Sequence, residues 1–488
     1  MAITAFPDSS SIVTLLSEST VFPERPTRPS LSKLTASDLP MLSVNYIQKG
    51  VLFPTCPAVS GDALLQLIKA ALSRTLVYFP MLAGRLRTDS SGFVYVDCDD
   101  SGVPFVHAAA PSVMLGHVLA PNDVPVFVRQ FFALNDAVSY DGHFMPLAAV
   151  QVSVLADGVF IAATVNHAVA DGTSFWNFFN TWAEIARGSN EVSRPPETHR
   201  FFVKDSAAVL RVRFEGSRNA PGKILTPPTA PVRERIFRFS RQAVLDLKEL
   251  ANKGKLFNRE MMEVEVMGKE SNDVWKKAKS CNGQRATSAA SWPRRVSPTA
   301  EVSSFQSLCA QIWRSVTRAR RLPSTKRTTF RMAANCRHRL NPPLHPEYFG
   351  NAIQSIATAA EVGDLLKREI GWAAGMLHRG VVEHGDATIR GMVDEWEKAP
   401  RAFPLGNADG ASITMGSSAR FPMYNNDFGW GPPVAVRSGR ANKFDGKMSA
   451  FPGRDGSGSV DVEMCLAPDT MALLERDPEF MRYVTAAP

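Results

Sequence analysis

Hydrophobic positions along this chain recur with two different periods, and the switch between them marks out the elements. The stretch DALLQLIKAALSRTL (62–76) places apolar side chains at 64, 65, 67, 68, 71, 72 and 76, with Asp62 near its start. That spacing predicts an amphipathic helix with an acidic N-terminal turn. Pro80 and Gly84 in YFPMLAGRL then break the pattern. SVNYIQKGVLF (43–53) predicts a strand by its β-branched and aromatic content, and FVYVDC (93–98) by alternation. LAAVQVSVLA and VFIAATVNH, joined by Asp157-Gly158, predict a hairpin over 147–167.

The second half repeats the mixture. SRQAVLDLKELANK (240–253) predicts a helix with Ser240 as N-cap. SSFQSLCAQIWRSVTRARR (303–321) predicts another, with Phe305, Leu308, Ile312 and Val316 on one face. Strand-like runs follow at 328–335, 352–357, 411–415 and 459–466, with helical stretches at 361–379 and 387–397. Strands and helices alternate in both halves, so the class is α/β or α+β.

The chain has 488 residues, whereas single cores stop growing near about 250–300 residues, so two domains are expected. Between 191 and 235 proline, glycine and charge dominate, as in RPPETHR and APGKILTPPTAPVRER, which predicts a crossover linker. The expected division is 1–190, a linker at 191–235, and 236–488, with a polar, weakly patterned mobile insertion at 253–300. FPERPTRPSL (22–31) reads as an extended lead-in.

Composition changes this picture little. It is 44% hydrophobic and 21% charged, ordinary for a soluble globular protein. Apolar runs fall short of the ~18 residues of a membrane span, and the N-terminus lacks a secretory pattern. A cytoplasmic protein with no membrane span is expected. The net charge of +8 is scattered rather than interleaved with aromatics, so no nucleic-acid partner is expected. Six cysteines, at 56, 98, 281, 309, 336 and 465, show neither C-x-x-C nor metal-ligand spacing. Free thiols in a reducing compartment and no metal are expected.

Candidate chemistry concentrates in TVNHAVADGTSFW (164–176). An uncharged run from Val159 to Asn166 leads into His167, Asp171 follows, and Gly172 opens a helical pattern. Strand ends in α/β folds gather ligand sites, and imidazole suits general-base work near neutrality. Asp171 either orients the ring or fixes the loop by pairing with an arginine. The blander alternative is a hydrogen-bonded core histidine beside a helix-capping aspartate. No G-x-S-x-G elbow or zinc spacing accompanies His167. The remaining use for a lone base is to deprotonate an incoming hydroxyl or amine, as in direct acyl transfer. A second string, NNDFGWGPP (425–433), contains Asp-Phe-Gly but lacks the other kinase segments. Gly429 and Gly431 around Trp430 predict a tight loop with positive φ.

HAVADG in mid-chain and DFGWG near the C-terminus together resemble the plant BAHD acyl-CoA-dependent acyltransferases. YFPMLAGRL (78–86), 166–188, NCRHRLNPPL (335–344), YFGNAI (348–353) and VRSGRANKFDGK (436–447) also look like family segments. The resemblance covers most of the chain except about 253–300. MGSSARFPMYNNDFGWG is most similar to the subgroup of Defective in Cuticular Ridges and uncharacterised acetyltransferase-like proteins.

The resemblance implies two similarly sized chloramphenicol-acetyltransferase-like α/β domains with a solvent channel between them and His167 midway along it. Acyl-CoA is then a co-substrate rather than a permanent cofactor. It enters from one side, and a small-molecule alcohol or amine acceptor from the other. His167 is the general base, and no acyl-enzyme forms. Asp171 is structural, paired with Arg337 or Arg339. Gly172 belongs to the same motif. Asp427, Gly429 and Trp430 hold a far loop near the CoA side, and Arg437 and Lys443 are candidates for the CoA phosphates. Many members carry Thr or Ser followed by Ser-Trp where this chain has Gly416, Ser417 and Ser418. The oxyanion donor then falls to Ser417, a backbone amide or an ordered water, and loss of the tryptophan enlarges the acceptor pocket. Gly431-Pro432-Pro433, where a Lys or Arg usually follows the glycine, is expected to matter little. A monomer is implied. A lyase acting on one substrate and a non-catalytic small-molecule binder are the alternatives. The intact His167, Asp171 and Gly172 argue against the binder.

Overall fold

The computed structural model describes residues 12–54, 61–120, 122–210, 231–253 and 301–485. Through these the chain passes β1 (Thr14–Val21), β2 (Ser30–Lys33), β3 (Ile47–Pro54), α1 (Gly61–Tyr78), β4 (Arg85–Thr88), β5 (Val94–Cys98), β6 (Val103–Ala110), α2 (Leu115–Leu119), β7 (Ala148–Leu155), β8 (Gly158–Val165) and α3 (Gly172–Ala186). It continues through β9 (Arg233–Phe239) and a helix α4 at 241–253. Then come α5 (Ser304–Ala319), β10 (Arg327–Asn335), β11 (Ile353–Glu361), α6 (Val362–Lys367), α7 (Ile370–Glu383), α8 (Asp386–Lys398) and β12 (Ile413–Met415). The last elements are β13 (Ala435–Ser438), β14 (Lys447–Pro452), β15 (Val460–Leu466), α9 (Pro468–Leu474) and α10 (Pro478–Met481).

Two mixed sheets carry the structure. The first runs β1-β6-β7-β8-β3-β13, with β6 and β7 parallel and the other neighbours antiparallel. The second runs β11-β10-β12-β14-β15-β9, parallel across β10-β12-β14. A small sheet, β2-β5-β4, stands apart. Strand β8 is buried at every position, which explains its unbroken apolar run: both faces are covered. One face packs against α1 and α3 through Val51, Phe53, Ile161, Phe175 and Phe179. The other packs on Phe127, Phe131 and Phe132.

The second sheet divides its residues by alternation. Met448, Ala450, Val462, Met464 and Leu466 join α5, α7 and α9 in one core. The intervening Lys447, Ser449, Glu463 and Cys465 point to the opposite face. Phe451, on that same face, belongs to the first core. This polar sheet face is turned towards the other half of the molecule.

The sheets do not respect a cut at 190 and 236. Strand β13 joins the first sheet beside β3, and Met423, Phe428 and Val436 belong to the first core. Apolar Ala435 and Val436 fit a strand covered on both faces. The segment expected as a linker is also partly structural. Strand β9 begins inside it, and its Arg200 is buried in an ion pair with Asp38 (2.9 Å). The helix expected over 361–379 is two, because Arg368 and Glu369 are extended. The insertion expected at 253–300 lies outside the described residues except for Lys253.

Candidate active site

His167 follows β8 in a tight turn that its neighbours fix atom by atom. Asn166 Oδ1 accepts from Ala168 N–H (2.9 Å), and Asn166 Nδ2 donates to the Ser139 carbonyl (2.7 Å). His167 N–H donates to Ser139 Oγ (3.1 Å). The His167 carbonyl accepts from Asn351 Nδ2 (2.8 Å). Asn351 in turn is gripped by Asp38 Oδ1, which accepts from its N–H (2.9 Å) and its Nδ2 (3.0 Å). Arg200 neutralises Asp38 and donates to the Val169 carbonyl. Four separated segments therefore hold one histidine backbone.

The His167 ring is enclosed by protein yet keeps part of its surface open to water. Burial pushes its pKa below the ordinary 6.5; its own backbone carbonyl, Asp171 and Asn351 oppose that shift, and the Lys447 charge adds to it. The imidazole is thus neutral at neutral pH.

Asp171 is fully buried and caps α3, accepting from Ser174 N–H (3.0 Å). Its other bonds come from Arg337 Nη1 (2.7 Å), Arg337 Nη2 (3.0 Å) and Ala352 N–H (3.0 Å). Burial alone would raise its pKa, but the Arg337 guanidinium and these hydrogen bonds hold it below the usual value. None of these bonds goes to the imidazole, so Asp171 is not a triad carboxylate. Of the two arginines singled out in the sequence, Arg337 is the partner. Arg339 instead donates to the carbonyls of Val381 (2.8 Å) and His384 (2.9 Å) at the end of α7. Gly172 leaves room for Phe421, whose ring would lie 2.8 Å from an added Cβ.

The DFGWG loop lies along α3, away from the imidazole. Asp427 Oδ1 accepts from Gly429 N–H (2.8 Å) and Gly431 N–H (2.9 Å). These glycines have φ of +110° and +97°, a region that favours glycine. Phe428 meets Trp182 of α3 edge-on at 5.1 Å and stacks with Trp430 at 5.7 Å. Arg187, just past α3, donates to the Asp427 carbonyl (3.1 Å). Asp427, Gly429 and Trp430 therefore brace the helix that Asp171 caps.

Two residues expected at CoA phosphates are engaged elsewhere. Lys443 is held between Glu234 (2.5 Å) and Glu463 (3.0 Å), so its charge is already matched. Arg437 is 7% exposed and donates to the carbonyls of Val118 and Val436 (2.9 Å each). It borders a cavity of about 320 Å³ between the β9 edge and α2, with Arg235 and Arg238. Ser417 follows β12, half-buried, beside exposed Gly416.

Sequence reading missed Asp38, Arg200, Asn351 and Lys447. No local pattern marks any of them; each acquires meaning only from distant partners. Asn351 had one signal, its place in YFGNAI.

Comparison with known proteins accords with this geometry. The model of the Transferase family matches residues 11–481. The chain belongs to this family, the BAHD acyltransferases. An uncharacterised acetyltransferase of Arabidopsis thaliana is 33% identical over 96% of this chain and 98% of its own length. The BAHD acyltransferase DCR of the same plant is 33% identical, covering 94% of this chain and 90% of the relative. Among solved structures, Fusarium (F. graminearum) TRI101 complexed with coenzyme A and T-2 mycotoxin superposes with a TM-score of 0.68 at 16% identity. It covers 94% of this chain and all of that one. At that identity the likeness establishes the two-domain fold. This BAHD protein is thus an acyltransferase by family. Among its described residues no helix is long and apolar enough to cross a membrane.

Proposed function

We propose that this BAHD protein moves an acyl group from acyl-CoA to a hydroxyl or amine of a small-molecule acceptor, with His167 as general base. The observation that carries the reading is the state of His167. Burial lowers its pKa, Ser139 and Asn351 hold its backbone, and part of its surface stays open to water. The complex of F. graminearum TRI101, a protein of the same fold, with coenzyme A and T-2 mycotoxin supports acyl-CoA as co-substrate.

The steps follow from the groups present. His167 takes the acceptor proton as the oxygen or nitrogen attacks the thioester carbonyl. The carbonyl electrons move onto oxygen. As the oxyanion collapses the C–S bond breaks, and the CoA thiolate takes the proton back from His167. The products are an ester or amide and free CoA, with no bond to the enzyme at any stage. Asp171 and Arg337 act through geometry, fixing the start of α3 and the turn before it. The four described cysteines, Cys98, Cys309, Cys336 and Cys465, are free and buried, which supports a reducing compartment such as the cytoplasm. We place the protein there as a monomer.

The test is a free-thiol assay with acetyl-, malonyl-, benzoyl-, hydroxycinnamoyl- and long-chain acyl-CoAs against pooled alcohols and amines. Acceptor-dependent CoA release that disappears in His167→Ala supports the reading. Turnover of one substrate without acyl-CoA contradicts it and favours elimination.

A further inference from the structure

Lys447 is the charged side chain that the reading above leaves without a task. It opens β14 on the sheet face opposite the second core, alternating with Met448. It pairs across the sheet with Thr414 of β12 and Cys465 of β15. Just past Thr414 and Met415 the chain reaches Gly416, and the lysine folds over it. A Cβ built at Gly416 would lie 2.0 Å from Lys447 Nζ and 3.0 Å from Cε. Only a glycine leaves that space to the ammonium.

The ammonium has no matched anion. Among the described residues no carboxylate lies within ion-pair distance of it. Glu463, which faces it from β15, is bonded to Lys443 (3.0 Å). Glu234 is held by Lys443 and Arg129. Lys49 on β3 adds a further cation to the same space. Its Nζ donates to Ser438 Oγ (2.6 Å) and sits 4.8 Å from the Phe451 ring, on the same face of β14 as Lys447. Lys447 is partly open to water, as is His167. Burial draws its pKa below the usual lysine value, against the pull of Cys465 and Glu463, and its positive form acts on the His167 ring. An enclosed, unmatched cation is costly. Its cost is offset when a negative charge forms beside it.

We propose that Lys447 is a catalytic residue of the transfer reaction, its ammonium donating a hydrogen bond to the oxyanion that forms from the thioester carbonyl. The proposal rests on the acyl-transfer reading. No atom passes to the lysine. The carbonyl π electrons move onto oxygen during attack, Nζ–H stabilises that charge, and the electrons return as the C–S bond breaks. A positioned ammonium in an enclosed, low-dielectric site does this without reorganising at the moment of reaction. Gly416 is then conformationally unremarkable and sterically essential.

The experiment compares wild type, His167→Ala, Lys447→Met, Gly416→Ala and the Gly416→Ala/Lys447→Met double variant by steady-state CoA release. Each is checked by circular dichroism. Removing an oxyanion donor costs roughly 10²–10³ in kcat, so Lys447→Met is expected to lose that much with both KM values nearly unchanged. Gly416→Ala pushes the flexible tip of Lys447 aside without touching backbone. It is expected to lower kcat in the wild-type background and to add nothing in the double variant. If Lys447→Met fails to fold, Gly416→Ala decides alone. Three results overturn the proposal: wild-type kcat in Lys447→Met, a loss confined to KM for carboxylate-bearing donors or acceptors, or additive losses in the double variant. CoA release that needs His167 but not Lys447 overturns this proposal alone. No release by wild type overturns the transfer reading and this one with it.

Discussion

At the scale of single residues, the site separates a reactive group from the groups that hold it. His167 must be neutral to accept a proton. Burial lowers its pKa below 6.5, so the neutral form persists to lower pH than for an exposed histidine. The acid limb of kcat/KM, which reports the free enzyme, is therefore expected below pH 6.5. A limb at or above that value would contradict the burial of the ring. Asp171 and Arg337 form a buried pair with side chains 0% and 3% exposed. Removing one partner of such a pair strands the other charge at a cost of about 3–5 kcal/mol. Asp171→Ala is expected to lose that much in urea unfolding, and Asp171→Ala/Arg337→Met to recover part of it. Equal losses in the single and double variants would show that helix capping, not the pair, is what matters. The histidine and the aspartate were visible in the sequence because they share a short motif. Asp38 was not, since it is far from His167 in the chain and sits in no patterned run, and Asn351 was marked only by its place in YFGNAI, which does not show what it bonds.

At the scale of elements, the hairpin that delivers His167 was legible and the strand that locks the two halves was not. Strands β7 and β8 follow an apolar pattern joined by Asp157-Gly158, and the structure has them at Ala148–Leu155 and Gly158–Val165. Strand β13 is four residues long, too short for periodicity to show, and its pairing with β3 depends on a partner in the other half of the chain. The loop before it fills the groove beside α3 with Phe428, which is fully buried among Phe53, Phe179 and Trp182. Large-to-small changes of buried phenylalanine cost about 3–5 kcal/mol. Phe428→Ala is expected to lower unfolding stability by that amount and to weaken activity through α3, whose first turn Asp171 caps. Wild-type stability in Phe428→Ala would place the loop outside the core.

At the scale of the whole molecule, two sheets with opposite needs meet. The first packs an apolar cluster on each face, while the second is apolar on one and polar on the other, and the polar face carries Lys447 and Glu463. Two α/β units were expected from length and mixed patterning. Their interlocking was not, because it is made by strand β13 on β3 and by bonds such as Arg337–Asp171 and Asn351–Asp38 between residues far apart in the chain. A fragment ending at 235 lacks β13, Phe428, Val436 and Phe451 from its core. It is expected to show no cooperative unfolding transition, and a sharp transition would contradict that dependence. The central claim is that His167 drives transfer between two bound substrates. Its most direct test is mass-spectrometric detection of acylated acceptor and free CoA, in wild type and in folded His167→Ala, under single-turnover conditions. The account predicts that both products form in equal amounts and that both fall roughly 10²–10⁴-fold in the variant, the usual contribution of a positioned base. Acylated acceptor formed equally well without His167, or product formed without acyl-CoA, would contradict it.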